Sequence, residues 1–207
     1  MNNGTVGALG DVSRETSGLL DRYAALLRKW NPAINLVARS TLEDLETRHF
    51  ADSAQLFALA PAGARLWVDL GAGGGFPGLV IAILAMEKTP EMRVTLIESD
   101  QRKATFLRTV ARELNLPNVT VLDDRIEDAP TQQADVLSAR ALAPLPQLLA
   151  YGARHLAPQG IALFPKGARY AVELDDALAT WRFDVQTIPS TTDPQAVILK
   201  LGGIARV

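Results

Sequence analysis

A chain of 207 residues, 48% hydrophobic and 21% charged and without a Pro/Ser-rich linker, has the composition of one ordinary domain with a sizeable core. The absence of cysteine excludes disulfides, cysteine-ligated metals, iron–sulfur clusters and any methylation that needs a cysteine adduct or a cluster radical, and two histidines leave no multi-histidine metal site. A formal net charge of −2 argues against strong non-specific binding to nucleic acid, and the longest apolar run, 79–86, is too short to cross a bilayer.

The first dozen residues are polar and glycine-containing and lack the basic start and long apolar core of a secretory signal, so a cytoplasmic site of action is expected. Residues 13–30 carry Leu19, Leu20, Tyr23, Leu26, Leu27 and Trp30 on one helical face, and Asn31-Pro32 predicts the stop. A further helix, with room for a break, is predicted over 42–60, with Ser40 or Thr41 near its start and Pro61 and Gly63 marking the turn behind it. Residues 13–60 thus read as an N-terminal helical extension of a single domain covering 1–207.

The stretch Trp67-Val68-Asp69-Leu70-Gly71-Ala72-Gly73-Gly74-Gly75-Phe76-Pro77-Gly78 reads as a strand that ends in an acid, breaks into glycines and feeds an apolar helix. Glycines permit positive φ and close approach of a ligand, and the free N–H groups of a helix start attract an anion. Gly73, Gly75 and Gly78 fit G-x-G-x-x-G, which alone would suit a dinucleotide. Asp69 shifts the reading, because a carboxylate beside the ligand suits an ammonium and a sulfonium better than a pyrophosphate. S-adenosylmethionine is such a cofactor. A glycine-rich turn without a ligand is the alternative.

Strand-like runs at 65–70, 93–98, 119–122, 135–139 and 160–165 alternate with helix-like stretches at 77–87, 101–115, 144–156 and 169–180. Such alternation predicts a doubly wound, mostly parallel sheet with helices on both faces. The last runs, near 182–188 and 196–201, are joined by the turn-rich Pro189-Ser190-Thr191-Thr192-Asp193-Pro194 and should pair antiparallel. Seven strands with a late antiparallel pair make the class I methyltransferase architecture, by analogy of fold. Ligands in such sheets bind beyond the carboxyl ends of the strands.

Glu98 ends the second predicted strand, where an acid accepts hydrogen bonds from the ribose of an adenosine cofactor, and Ser99 or Asp100 caps the next helix. Ile126 and Glu127, after the third strand, can meet adenine by stacking and main-chain hydrogen bonds. Arg140, after the fourth, stands where methyl donor and acceptor should meet. No Asn/Asp-Pro-Pro-aromatic segment follows that strand, which disfavours methylation of an exocyclic base nitrogen. Arg102, Lys103, Arg108 and Arg112 share one predicted helix, as a basic face or as solvated surface. Phe106 shares an apolar helical face with Leu107 and Val110 and reads as core.

Arg48-His49-Phe50-Ala51-Asp52-Ser53, the glycine loop 71–78, Arg102-Lys103-Ala104-Thr105-Phe106-Leu107, Ser138-Ala139-Arg140-Ala141 and Lys166-Gly167 together resemble, in order, the motifs of one family. It is the 16S ribosomal RNA guanine-N7 methyltransferase family, also called glucose-inhibited division protein B, and the resemblance runs from about residue 20 to about residue 200. It implies methyl transfer from S-adenosylmethionine to N7 of a guanine in the decoding-region loop of 16S rRNA. It also implies cofactor contacts at Gly71, Phe76, Ile126, Glu127 and Arg140, to which Asp69, Gly73 and Glu98 are added from the residues themselves. Arg140 is expected to orient cofactor or base, without moving a proton. Arg48, His49, Arg102, Lys103 and Lys166 are the expected RNA contacts, while Asp52 reads as the partner of His49 at i+3 in a local helix network. A monomer without bound metal is expected, taking its rRNA within a small subunit or an assembly intermediate. Many family members carry an arginine just before the final strand, where this chain reads Asp193-Pro194-Gln195-Ala196. A methyltransferase for small molecules or proteins, an NAD-dependent oxidoreductase and a non-catalytic RNA-binding module are the other readings.

Overall fold

The computed structural model describes residues 12–207; the reading of the leading residues as lacking a secretory signal falls almost wholly outside them. Helix α1 (Arg14–Ile34) starts at Ser13, whose side chain accepts the Thr16 N–H, and buries Leu20, Tyr23 and Leu27. It does not stop at Asn31-Pro32. Proline removes only its own N–H; the Asn35 N–H still reaches the Asn31 carbonyl at 3.0 Å, and the helix ends with Asn35 in the left-handed region at φ 48. The buried Asn31 instead turns the chain, its Oδ1 accepting the Val37 N–H at 2.8 Å.

The helix predicted over 42–60 is broken into a 3₁₀ turn (Arg39–Thr41), a π-helical turn (Glu46–Ala51) and a short α2 (Asp52–Phe57). Strands β1 (Leu66–Leu70), β2 (Arg93–Ile97), β3 (Val119–Leu122), β4 (Ala134–Ala139) and β5 (Leu156–Lys166) are parallel. They alternate with α3 (Gly78–Lys88), α4 (Gln101–Glu113), and α5 (Leu145–His155); α6 (Tyr170–Leu178) follows β5. Asp100 caps α4, accepting the N–H groups of Arg102 and Lys103. Strands β6 (Trp181–Pro189) and β7 (Val197–Arg206) pair antiparallel, and β7 inserts between β5 and β6 to give the order β3-β2-β1-β4-β5-β7-β6.

The pleat divides the core in two. Trp67 faces a layer made by α1, α3 and α4, in which Phe106 is fully buried, whereas Val68 and Leu70 face α5. Helix α3 is buried from Gly78 to Ala85, between the sheet and α1, which explains its apolar sequence without a polar face. The strand order reverses between β1 and β4, so the segments leaving their carboxyl ends, Gly71 onward and Arg140 onward, flank a crevice. No helix among the described residues is long and apolar enough to cross a membrane.

Candidate active site

The loop after β1 holds Gly71, Gly73 and Gly75 at φ 61, 54 and 95, where any other residue would be strained. A Cβ on Gly75 would lie 2.6 Å from the Tyr23 hydroxyl, which donates to the Gly74 carbonyl and so fixes the loop from α1. The Ala72 N–H donates to the Ile97 carbonyl at 3.1 Å, joining the loop to β2. Between this loop and residues 124–127 lies a cavity of about 320 Å³ onto which Gly71, Gly73, Glu98, Ile126, Glu127 and Arg140 all open. Glu98 is buried and accepts the N–H groups of Gly73 (2.8 Å) and Asp100 (2.9 Å) on separate oxygens, each of which retains a lone pair for a ligand hydroxyl. Glu127 accepts the Tyr151 hydroxyl at 2.7 Å, a bond that holds its carboxyl below the usual range. The residues fit S-adenosylmethionine: a carboxylate with lone pairs free for ribose hydroxyls, an apolar Ile126 side chain, and a glycine cradle.

Asp69 differs from the expectation. It is fully buried, off the cavity, with Oδ2 accepting the Gly78 N–H (3.0 Å) and Oδ1 the Ser138 hydroxyl (2.7 Å), which itself accepts the Trp67 indole N–H. The alternation of β1 turns Asp69 to the same face as Trp67, under α3, and directly across from Ser138 on β4. Its burial, only partly offset by the Ser138 and Gly78 hydrogen bonds, raises its pKa to about 7. It therefore braces the glycine loop and β4 from below instead of meeting a ligand.

Arg140 leaves β4 with Ala141 behind it at φ 52, a left-handed conformation that costs a non-glycine residue roughly 1–2 kcal/mol. Its guanidinium lies 5.0 Å from the centroid of the Phe76 ring, 3.3 Å from the Asp52 carboxylate, and donates to His49 Nδ1 at 2.8 Å. Arginine can only donate, so His49 Nδ1 accepts and the imidazole proton sits on Nε2, where it is given to the Thr41 hydroxyl at 2.9 Å. Burial and the charges of Arg140 and Arg48 push His49 down to about 4, which keeps it neutral. The His49 ring stacks on Phe76 at 4.8 Å, and Phe76 packs with Tyr23 and Phe50. Phe76 is 4% exposed and does not line the donor cavity; its role here is as the platform beneath Arg140.

Arg140, Ala141 and Leu142 are shared by the donor cavity and a second, larger cleft of about 1120 Å³. Leu142 lies over Gly71, its Cδ1 2.6 Å from where a Cβ would stand, and forms the partition. Arg48 and Lys166 line the larger cleft. Lys166 is committed, donating to Glu173 at 2.7 Å and to the Ala143 carbonyl at 3.0 Å, with Glu173 also accepting the Leu145 N–H. It pins the segment after Arg140 to α6. Arg102 and Lys103 do not reach the larger cleft, because α4 opens on the donor side: Lys103 lines the donor cavity and Arg102 is 72% exposed beside Asp100. Tyr151, Leu142 and Gln55 escaped the sequence reading. Tyr151 lies on an amphipathic helix face indistinguishable from core, and nothing in the sequence marks the other two.

A family model described as "GidB: rRNA small subunit methyltransferase G" matches residues 17–198. A protein of Cereibacter sphaeroides named ribosomal RNA small subunit methyltransferase G is 56% identical over 197 residues, covering 95% of each chain. Among solved structures, a methyltransferase from Geobacter sulfurreducens superposes with a TM-score of 0.62 at 19% identity, covering 95% of this chain and 91% of its own. A TehB-like SAM-dependent methyltransferase from Corynebacterium glutamicum gives 0.58 at 15%, covering 88% and 98%. These two likenesses are of fold.

Proposed function

The chain belongs to the family of rRNA small subunit methyltransferase G, and on that premise we propose that it methylates N7 of a guanine in the decoding-region loop of 16S rRNA, with S-adenosylmethionine as donor. The observation that carries this reading is the junction at Arg140–Leu142, where a nucleoside-sized cavity opens beside a cleft wide enough for a base. Bound S-adenosylmethionine supplies a methyl group on positively charged sulfur. Gly71, Gly73, Glu98, Ile126 and Glu127 would hold it, with the Glu98 carboxylate available to its ribose hydroxyls.

Guanine N7 has a free lone pair and no proton to lose, so its methylation needs alignment more than a base. The junction is furnished accordingly. His49 has spent its lone pair on Arg140 and its proton on Thr41, and Asp52 is taken up by Arg140, Gln55 and Thr192. His49 therefore has no lone pair left to accept a proton. Arg140, locked by three neighbours, orients the reactants at the partition, and Lys166 holds the segment that carries it. Because the net charge is negative, naked rRNA is gripped weakly and is presented within a small subunit or its precursor; the enzyme is taken to act as a monomer in the cytoplasm.

Incubating the protein with methyl-labelled S-adenosylmethionine and unmodified small subunits should label their rRNA. Arg140→Ala should lower that rate roughly 10²-fold, as misalignment of reacting groups does, a larger effect than its cost to stability. Label entering only protein or small molecules would contradict the reading.

A further inference from the structure

The structure assigns to Arg169, acting with Arg48, the anchoring of a phosphate of the acceptor strand in the larger cleft. This rests on the acceptor being RNA. Four cations line the cleft: Arg48, Arg140, Lys166 and Arg169. Two are committed. Arg140 is held by Asp52, His49 and Phe76, and the Lys166 side chain is only 9% exposed and paired with Glu173. Asp52 and Glu173, which also line the cleft, are neutralised in the same pairs.

Arg48 and Arg169 are exposed, and among the described residues neither guanidinium makes a hydrogen bond or an ion pair. They come from separate elements: Arg48 from the π-helical turn and Arg169 from the cap position of α6. A guanidinium is the side chain best shaped to grip a phosphate by two parallel hydrogen bonds. The β6–β7 turn contributes Thr192, Asp193, Pro194 and Ala196 to the cleft and no cation, so a phosphate grip has to come from elsewhere. The remaining carboxylates, Asp176 and Asp193, repel a phosphate and confine its grip to the two uncommitted arginines among the cations there. Such contacts set the register of the RNA without reading its sequence.

The test is the KM for unmodified small subunits over a range of salt concentrations, with donor affinity and unfolding midpoint measured beside it. Arg169→Ala and Arg48→Ala should each raise KM about three- to tenfold and flatten the plot of log affinity against log salt by about 0.7–0.9. Donor affinity, kcat and the unfolding midpoint should stay at wild-type values. Arg169→Lys should restore the slope, and Arg112→Ala, on the outer face of α4 beside Glu113, should change nothing. A wild-type KM and slope in Arg169→Ala would overturn the anchor while leaving the methyltransferase reading intact. Failure of the wild-type protein to methylate small-subunit rRNA would instead remove the RNA reading, and the anchor with it.

Discussion

Two acids near the ends of neighbouring strands, Asp69 and Glu98, look equivalent in the sequence and sit in opposite surroundings. Glu98 opens on the donor cavity; Asp69 is sealed beneath α3. What separates them is the pleat, which sends Asp69 to the Trp67 face, and a partner 69 residues away, Ser138. No local pattern encodes that contact. Lys166 was illegible in the same way, since its engagement with Ala143 and Glu173 depends on how α6 folds back. Asp69 also leaves a signature in stability. Its pKa is raised from 3.8 to about 7 in the folded chain, so the stability it contributes is complete below about pH 4 and is lost as pH rises through about 7. Asp69→Asn keeps a neutral acceptor for Gly78 and does not titrate. In urea unfolding, wild type should therefore lose stability relative to this variant between pH 4 and 7, with a constant gap above; a gap independent of pH throughout would refute the buried carboxyl. His49, whose pKa is lowered, works in the opposite direction, losing stability as pH falls from about 6.5 toward 4 in both proteins, and cancels in the comparison.

At the scale of elements, the parallel strands and their crossover helices were legible because each carries its period and its punctuation. The segment 39–57 was not, because its shape answers to the site: a π-helical turn carries Arg48 and His49 together, and α2 begins at Asp52. Residues 189–194 were legible as a turn but not as a wall of the cleft. Gln55 makes them one. Its Oε1 accepts the Thr191 N–H (2.9 Å) and hydroxyl (3.1 Å), and its amide donates to Ser190 and Asp52. Gln55→Ala frees the turn, and should raise the KM for small subunits with kcat nearly unchanged, at a cost to stability of about 1 kcal/mol. An equal fall of kcat with unchanged KM would place Gln55 in the chemistry and contradict a role confined to the turn.

On the scale of the molecule, the reversal of strand order between β1 and β4 sets two chambers side by side, and Arg140–Leu142 divides them. The glycines and Glu98, which open on the smaller cavity, could be read from local sequence, whereas the burial of Asp69 could not. Of the larger cleft, Arg48, Arg140 and Lys166 were named from the sequence, but not its assembly from the π-helical turn, the segment after β4, α6 and the β6–β7 turn, which lie far apart in sequence. The proposed division of labour, with Arg140 aligning and no proton to remove, suits an acceptor nitrogen with a lone pair and no proton. Mapping the product tests this most directly: methylated small-subunit rRNA is treated with borohydride and aniline, which cleave the chain at N7-methylguanine. Cleavage at one guanine of the decoding-region loop is the predicted result. A methyl group found on N1, N2 or another nitrogen that must shed a proton would require a base, for which the proposed N7 transfer has no role, and would contradict it.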